Sequence, residues 1–310
     1  MPRACVWLAV AACAGAPAAT GVVAPATEQQ FRTSVTLVRL PVVVRGRDGA
    51  LLRGLTAADF EVLEDGRPQA IAHFTEGAPG EELPLHLGLI LDASESMARD
   101  LPHAAEAAVR FVKALPEAAD VTFMDFDTAI RVGRFTPPNY PMLFERIRGS
   151  KAGGGTSLYD AVGVYLESAR SREGQHVLLL YTDGGDSTSR LSFGKLQELL
   201  RAGGVLIYAI GYLDHQRSTD QVMQQLRVTQ IAREAGGDAF FPGSPRDLHE
   251  VYGRILDELV SRYTIGYVST NGRLDGRFRR VDIRLTRPDL RGAKVRSRPG
   301  YLALPPGGWR

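Results

Sequence analysis

LGLILDASESM, residues 87–97, joins a short apolar run to a polar cluster. An apolar run of this length that ends in polar residues predicts a buried strand of a parallel sheet. Open α/β sheets bind their ligands just outside the carboxyl ends of such strands. Asp92, Ser94 and Ser96 therefore place oxygen ligands at that edge, and such a set suits a hard cation such as Mg²⁺. Turns and helix caps use the same residues, so this stretch alone leaves both interpretations open.

Residues 84–261 alternate between strand and helix patterns. Strands are predicted at 121–126, 129–135, 177–181, 205–210 and 240–241, with the first two forming an antiparallel hairpin. Helices are predicted after Met97 and at 158–169, where apolar residues recur at spacings of three and four, and also around 193–201, 222–235 and 245–260. This alternation predicts an α/β domain with a doubly wound, mostly parallel sheet flanked by helices on both faces.

Short β patterns flank this domain on both sides. The segments 33–76 and 262–303 carry alternating or β-branched runs separated by turn residues. Neither segment is large enough to bury a core by itself. We therefore expect them to pair into one small β-sandwich, with the α/β domain of 84–261 inserted between them.

The amino-terminal residues have the pattern of an export signal. Residues 1–20 combine Arg3, a short apolar core and small residues that suit cleavage, and 21–32 are predicted to be a flexible lead-in. Both cysteines, Cys5 and Cys13, fall in the leader, and the context of Cys13 also resembles a bacterial lipoprotein processing site. The mature protein is thus expected in the periplasm, cell envelope or extracellular space, either free or anchored by lipid at Cys13. No later apolar run is long enough for a transmembrane span, and a formal charge of +2 gives no reason to expect nucleic-acid binding.

Two further stretches bear on the site. Residues 153–157, Gly-Gly-Gly-Thr-Ser, precede a predicted helix, and no Gly-Lys-Ser/Thr follows, which argues against a nucleotide phosphate loop. Thr156 could simply cap that helix. Asp183 follows the 177–181 strand and falls at the same edge as Asp92, although a turn residue is the ordinary explanation for an isolated Asp there.

Together the three stretches resemble the von Willebrand factor type A (VWA) domain and its metal-ion-dependent adhesion site. The match consists of Asp-x-Ser-x-Ser after a strand, a distant Gly-Thr loop, and a strand that ends in Thr-Asp-Gly. The flanks at 55–66, 263–267 and 298–301 look like the bacterial exported "VWFA-related" group, so the likeness runs from about residue 32 to 302.

The resemblance implies a specific ligand set. It gives Ser94, Ser96 and Thr156 the role of hydroxyl ligands, while Asp92 and Asp183 bind the ion directly or through water. It leaves one coordination position open for an Asp or Glu of a protein partner, next to the rim residues Glu95 and Asp186. Mg²⁺ is the expected ion, with Mn²⁺ and Ca²⁺ as open alternatives.

These features favour an exported, non-catalytic module for protein binding or adhesion. The alternative is a structural envelope scaffold in which the metal only stabilises the rim loops. An enzyme is not expected, because Ser94 occupies the position of the second Asp of haloacid-dehalogenase-type enzymes and the six histidines form no HExxH motif. The basic tract at 273–298 is interpreted as a solvated strand face, with an anionic lipid or polysaccharide site as the alternative.

Overall fold

The strand that carries Asp92 lies inside a six-stranded sheet in the computed structural model, which describes residues 37–77, 83–115, 118–211 and 218–305. The predicted signal peptide, the lead-in and Cys13 lie outside the described residues. The strands are β1 (Leu37–Arg45), β2 (Phe60–Glu64), β3 (Arg67–Gln69), β4 (Ile71–Glu76), β5 (Leu85–Asp92), β6 (Ala118–Phe126), β7 (Ile130–Phe135), β8 (Gln175–Thr182), β9 (Val205–Gly211), β10 (Ala239–Phe240), β11 (Tyr263–Val268), β12 (Phe278–Leu285), β13 (Lys294–Arg296) and β14 (Gly300–Leu302). The helices are α1 (Leu101–Ala114), α2 (Tyr140–Arg148), α3 (Leu158–Arg170), α4 (Phe193–Ala202), α5 (Ser218–Glu234) and α6 (Pro245–Ser261).

The central sheet has the strand order β10-β9-β8-β5-β6-β7. Its neighbouring strands pair in parallel except at one edge, where β7 runs antiparallel to β6. All eight residues of β5 are buried. The predicted α/β fold with a doubly wound, mostly parallel sheet is confirmed, and so is the antiparallel hairpin at its edge.

Successive residues of β5 pack into two different cores, one on each face of the sheet. Leu89 and Leu91 lie in the core formed with α1, α2 and α6, whereas Ile90 lies in the core formed with α3, α4 and α5. Gly88 permits close packing on the second face, because a Cβ atom there would lie 2.3 Å from the Tyr165 ring. The continuous apolar character of β5 therefore follows from helices covering both faces.

Helix α2 has no counterpart in the sequence prediction. It begins at Tyr140 with a proline in its first turn, directly after the short 3-10 turn Pro137–Asn139. Proline is tolerated in a first helical turn, but three prolines near one another resemble a loop in sequence. Leu143 and Ile147, four residues apart, are fully buried and hold α2 against the sheet.

The two flanking β segments form a sandwich together. One sheet has the order β13-β1-β11-β4 and the other β14-β12-β2-β3, so each contains strands from both ends of the chain. Their facing side chains share one apolar core. Within it, the buried Glu64 accepts hydrogen bonds from the hydroxyls of Tyr267 (2.9 Å), Tyr301 (2.8 Å) and Ser269 (2.6 Å). The predicted insertion of the α/β fold into a sandwich made from both terminal segments is confirmed.

Candidate functional site

Three loops meet at the carboxyl edge of the central sheet. Asp92 is the last residue of β5, and Asp183 directly follows β8. Because β5 and β8 pair in parallel with Leu91 opposite Tyr181, their ends lie side by side. The glycine-rich loop before α3 is the third component, and its Gly153 N–H donates to the Ala93 carbonyl oxygen over 2.9 Å.

Asp92 is the most buried carboxylate of this edge, with 0% of its surface exposed. Its Oδ1 accepts a hydrogen bond from the Ser94 backbone N–H (3.0 Å), and its Oδ2 accepts one from the Thr182 hydroxyl (2.7 Å). Burial, followed by the negative charge of Asp183, raises the pKa of Asp92 to about 7. The fold thus holds Asp92 near a second carboxylate, in a place that disfavours the charge of Asp92.

Ser94 and Ser96 place their hydroxyls together beside Asp92. Their Oγ atoms lie 3.1 Å apart. Ser94 is buried, whereas Ser96 is exposed, and both lie at the short 3-10 turn Glu95–Met97 that follows β5. The alternation of Ser with other residues in this turn brings two hydroxyl oxygens to one side, next to the Asp92 carboxylate.

Thr156 is held in place through its backbone. Its N–H donates to the Ser187 hydroxyl (2.9 Å), and its carbonyl oxygen accepts from the N–H groups of Ser187 (2.8 Å) and Thr188 (3.0 Å). On the other side of the loop, the Glu95 N–H donates to the Gly154 carbonyl oxygen (3.3 Å). Backbone contacts therefore fix the loop, and its position does not depend on the Thr156 hydroxyl.

Asp183 is 2% exposed, and its Oδ1 accepts a hydrogen bond from the Gly185 N–H over 2.8 Å. The turn after it requires glycine. Gly184 has a φ of +81°, and a Cβ atom there would lie 2.7 Å from a methyl group of Val228 in α5. The Thr-Asp-Gly sequence therefore has a structural reason at each position, since Thr182 holds Asp92 and Gly184 permits the turn against α5.

The two rim residues differ in their contacts. Glu95 is exposed beside the two serines. The Asp186 carboxylate instead accepts hydrogen bonds from the Tyr159 N–H (3.1 Å) and the Ser189 hydroxyl (2.6 Å), so it supports the first turn of α3.

Two further residues of the site, Thr182 and Ser187, were not predicted from the sequence. Thr182 could have been found from its place in Thr-Asp-Gly, whereas nothing in the sequence marks Ser187.

The residue types at this edge are those that a hard cation prefers as ligands. They combine two carboxylates with three hydroxyls, all oxygen ligands, and the hydrogen bonds that Asp92 accepts come from a backbone N–H and a hydroxyl, not from a cationic side chain. In the described parts of the chain, no group of three or more His, Cys, Asp or Glu residues is placed to hold a metal. His86 and His176 stack on each other at the opposite, amino-terminal end of β5 and β8. The residues present therefore fit Mg²⁺ or a similar ion, and not a zinc site of histidines and cysteines.

Comparison with known proteins gives a family and a set of distant structural neighbours. The solved structures similar to this chain include a von Willebrand factor type A protein from Catenulispora acidiphila, with 14% identity, 79% of this chain and 74% of that chain covered, and a TM-score of 0.48. An aerotolerance-related membrane protein from Bacteroides fragilis has 13% identity, with 56% of this chain and 99% of that chain covered and a TM-score of 0.45. The vWF domain of the type V pili tip protein Mfa5 from Porphyromonas gingivalis has 12% identity, with 56% and 94% covered and a TM-score of 0.43.

At these identities and TM-scores, the neighbours carry no information on function. No curated protein matches the sequence significantly. Among the described residues, no helix combines the length and apolar character needed to cross a membrane. The von Willebrand factor type A domain model matches residues 86–254, which is more than half of the chain. The chain therefore belongs to the von Willebrand factor type A domain family.

Proposed function

We propose that this protein is an exported, non-catalytic VWA module that binds a divalent cation and uses it to dock an acidic side chain of a protein partner. The observation that supports this most directly is the buried pair Asp92 and Asp183, because burial, followed by the charge of Asp183, raises the pKa of Asp92. A cation between them removes that repulsion. Proteins bury charges where these are paired or coordinate a metal.

Five residues would hold the ion: Asp92, Ser94, Ser96, Thr156 and Asp183. Two carboxylates balance the charge of one Mg²⁺, and neutral hydroxyls leave the ion able to attract a further anionic oxygen. Because Mg²⁺ takes oxygen ligands and usually keeps several waters, this set would leave room for water or for a carboxylate of the partner. The exposure of Ser96 and Glu95 supports an open position on the solvent side of the site.

The alternative function is a structural scaffold in which the metal only stiffens the rim loops. The loop contacts argue against it. Direct hydrogen bonds already join the three loops, through Gly153 N–H to the Ala93 carbonyl, Ser187 N–H to the Thr156 carbonyl, and Thr182 Oγ1 to Asp92. A metal is therefore not needed to connect these loops, whereas a docking role would use the hydroxyl and carboxylate oxygens of the five proposed ligands.

The test combines metal binding with partner capture. Isothermal titration with Mg²⁺ is carried out on the wild type, on Asp183→Ala, and on the control Glu95→Gln, which removes an exposed carboxylate of the same rim. Affinity capture from an envelope extract is then compared in Mg²⁺ and in EDTA. We expect Asp183→Ala to lose both Mg²⁺ binding and the captured partner, and Glu95→Gln to keep Mg²⁺ binding. A partner retained equally in EDTA and by Asp183→Ala would rule out metal-bridged docking and favour the scaffold.

Export is tested separately. Fractionation of cells that express the full chain, with the amino terminus of the product identified by mass spectrometry, distinguishes cleavage within residues 1–20 from lipidation at Cys13. Recovery of the intact chain in the cytoplasm would exclude export.

A further inference from the structure

A cleft of about 810 Å³ lies between α5, α6 and the sandwich strands β1 and β13. None of the proposed metal ligands lines it. Five cationic side chains line its walls: Arg45, Arg233, Arg254, Lys294 and Arg296. Two carboxylates, Glu234 and Asp238, line it as well. Positive charge is therefore in excess.

Strand register concentrates part of this charge on one sheet face. Arg45 lies opposite Lys294, and Arg296 lies two residues further along β13 on the same side. Like charges that face each other across two strands destabilise the pairing. The buried Glu258 offsets this in part, because it accepts hydrogen bonds from both Arg45 (2.6 Å) and Arg296. The single carboxylate of Glu258 thus pairs with two guanidinium groups, and it does not pair with Lys294.

The remaining cations of the cleft are exposed. Among the described residues, Arg233, Arg254 and Lys294 form no ion pair, although Arg254 packs over the Phe240 ring with its guanidinium 5.1 Å from the ring centre. Glu234 does not neutralise them, because Arg201 binds it through two hydrogen bonds of 2.9 Å. Three cations from three different elements are thus available to a ligand.

An apolar stripe continues this surface along α5. Val222, Met223 and Leu226 are 65%, 55% and 50% exposed. Val222 and Leu226 are four residues apart and Leu226 and Arg233 seven, so they share one side of the helix. Leu226 also lines the cleft. The exposed apolar stripe and the cationic cleft therefore form one continuous surface.

We propose that this surface binds an acidic polypeptide segment that also carries apolar side chains. The cleft cations pair with its carboxylates, and its apolar side chains cover the α5 stripe. A small inorganic anion would use the cations alone and leave the stripe exposed to water. Charge complementarity of this kind mainly steers association and selects the partner. Binding here does not require the metal, so it is a second docking surface beyond the metal site.

The test measures fluorescence anisotropy of a short fluorescein-labelled peptide composed of Glu, Asp and Leu, with the full-length protein in EDTA. The triple variant Arg233→Gln, Arg254→Gln, Lys294→Gln is expected to raise the Kd about tenfold, as the loss of three exposed charge pairs implies. The matched control Arg67→Gln, Arg110→Gln, Arg280→Gln removes the same charge from exposed positions outside the cleft and is expected to leave the Kd unchanged. Added salt should weaken the wild-type complex.

A second set of variants tests the apolar stripe of α5. The double variant Val222→Gln, Leu226→Gln should weaken binding, whereas Met142→Gln, Val164→Gln, which replaces exposed apolar residues of α2 and α3, should not. Circular dichroism melting confirms that every variant is folded. Any of three results would overturn the proposal. The first is an equal loss of peptide affinity in the cleft and control variants, and the second is full competition by millimolar inorganic phosphate. The third is binding to phosphatidylglycerol vesicles without binding to the peptide. Because the titration runs in EDTA, failure of the metal-site proposal leaves this result unaffected.

Discussion

Thr182 Oγ1 donates a 2.7 Å hydrogen bond to Asp92 Oδ2. Thr182 Oγ1 also accepts a hydrogen bond from the Gly184 N–H over 3.0 Å. One buried hydroxyl therefore joins the end of β5 to the turn that carries Asp183. This contact orients Asp92 and holds the two carboxylates of neighbouring strands in a fixed relationship. Thr182 is a positioning residue of the site, because it orients Asp92 and is not itself one of the proposed metal ligands.

Replacing Thr182 by Val should therefore affect both stability and metal binding. Val keeps the shape of Thr but removes the donor to Asp92 and the acceptor for Gly184, which costs about 1–3 kcal/mol of unfolding free energy. Urea denaturation measures this cost, and isothermal titration with Mg²⁺ should show a weaker Kd. Thr182→Ser keeps the hydroxyl and is the matched control. A Val variant that binds Mg²⁺ as tightly as the Ser variant would show that the hydroxyl does not position Asp92.

The raised pKa of Asp92 predicts a pH-dependent penalty in the metal-free protein. Its pKa is 3.8 ordinarily and about 7 in the folded chain. Between these values the unfolded chain releases the proton while the folded chain keeps it, so the unfolding free energy falls as the pH rises. Asp92→Asn removes this penalty. In EDTA, its stability relative to wild type should increase from about pH 5 to about pH 7.5 by on the order of 2–4 kcal/mol.

Urea denaturation of the wild type and of Asp92→Asn at several pH values measures the unfolding free energy of each and checks this prediction. The difference between the two curves isolates Asp92, because the other titrating groups are common to both. A stability difference that is constant over this range would mean that Asp92 titrates normally. Excess Mg²⁺ should make the wild type more stable than the Asn variant near neutral pH, because the wild type then gains binding free energy that the variant lacks.

Gly88 permits α3 to pack tightly against β5. Gly88→Ala places a methyl group 2.3 Å from the Tyr165 ring, and both residues are buried. Overpacking of this kind costs about 1–3 kcal/mol or more. Thermal melting measures it, with Gly194→Ala as the control. Gly194 lies exposed in α4 with open space around its Cβ position, so Ala there should stabilise the protein by about 0.5–1 kcal/mol.

Glu258 joins the inserted domain to the sandwich. It lies in α6, is 1% exposed, and accepts hydrogen bonds from Arg45 of β1 and Arg296 of β13. Glu258→Gln leaves two partly buried cations without a counter-charge, and breaking a buried ion pair in this way costs about 3–5 kcal/mol. Chemical denaturation checks the value. Glu198→Gln removes one partner of an exposed pair with Lys195 and should cost less than about 0.5 kcal/mol.

Much of the fold was predictable because its signals are local. The apolar run of β5 and the strand–helix alternation each depend on short stretches of consecutive residues. Helix α2 was missed because its prolines resemble a loop, while the contacts of Leu143 and Ile147 that stabilise it come from residues distant in sequence. The metal-ligand assignment remains a prediction, although the structure brings all three predicted stretches to one edge of the sheet.

The sequence by itself determined that Asp92 and Asp183 end apolar strands, because burial on both faces of a parallel sheet requires continuous apolar runs. It also indicated, through segments too small to fold alone, that the two ends of the chain pair with each other. Only the tertiary structure decided that Thr182 orients Asp92, that Asp186 supports α3, and that cations from α5, α6 and β13 line one cleft with few carboxylates. Those relationships join residues far apart in sequence, so they depend on strand register and helix packing, which no local pattern specifies.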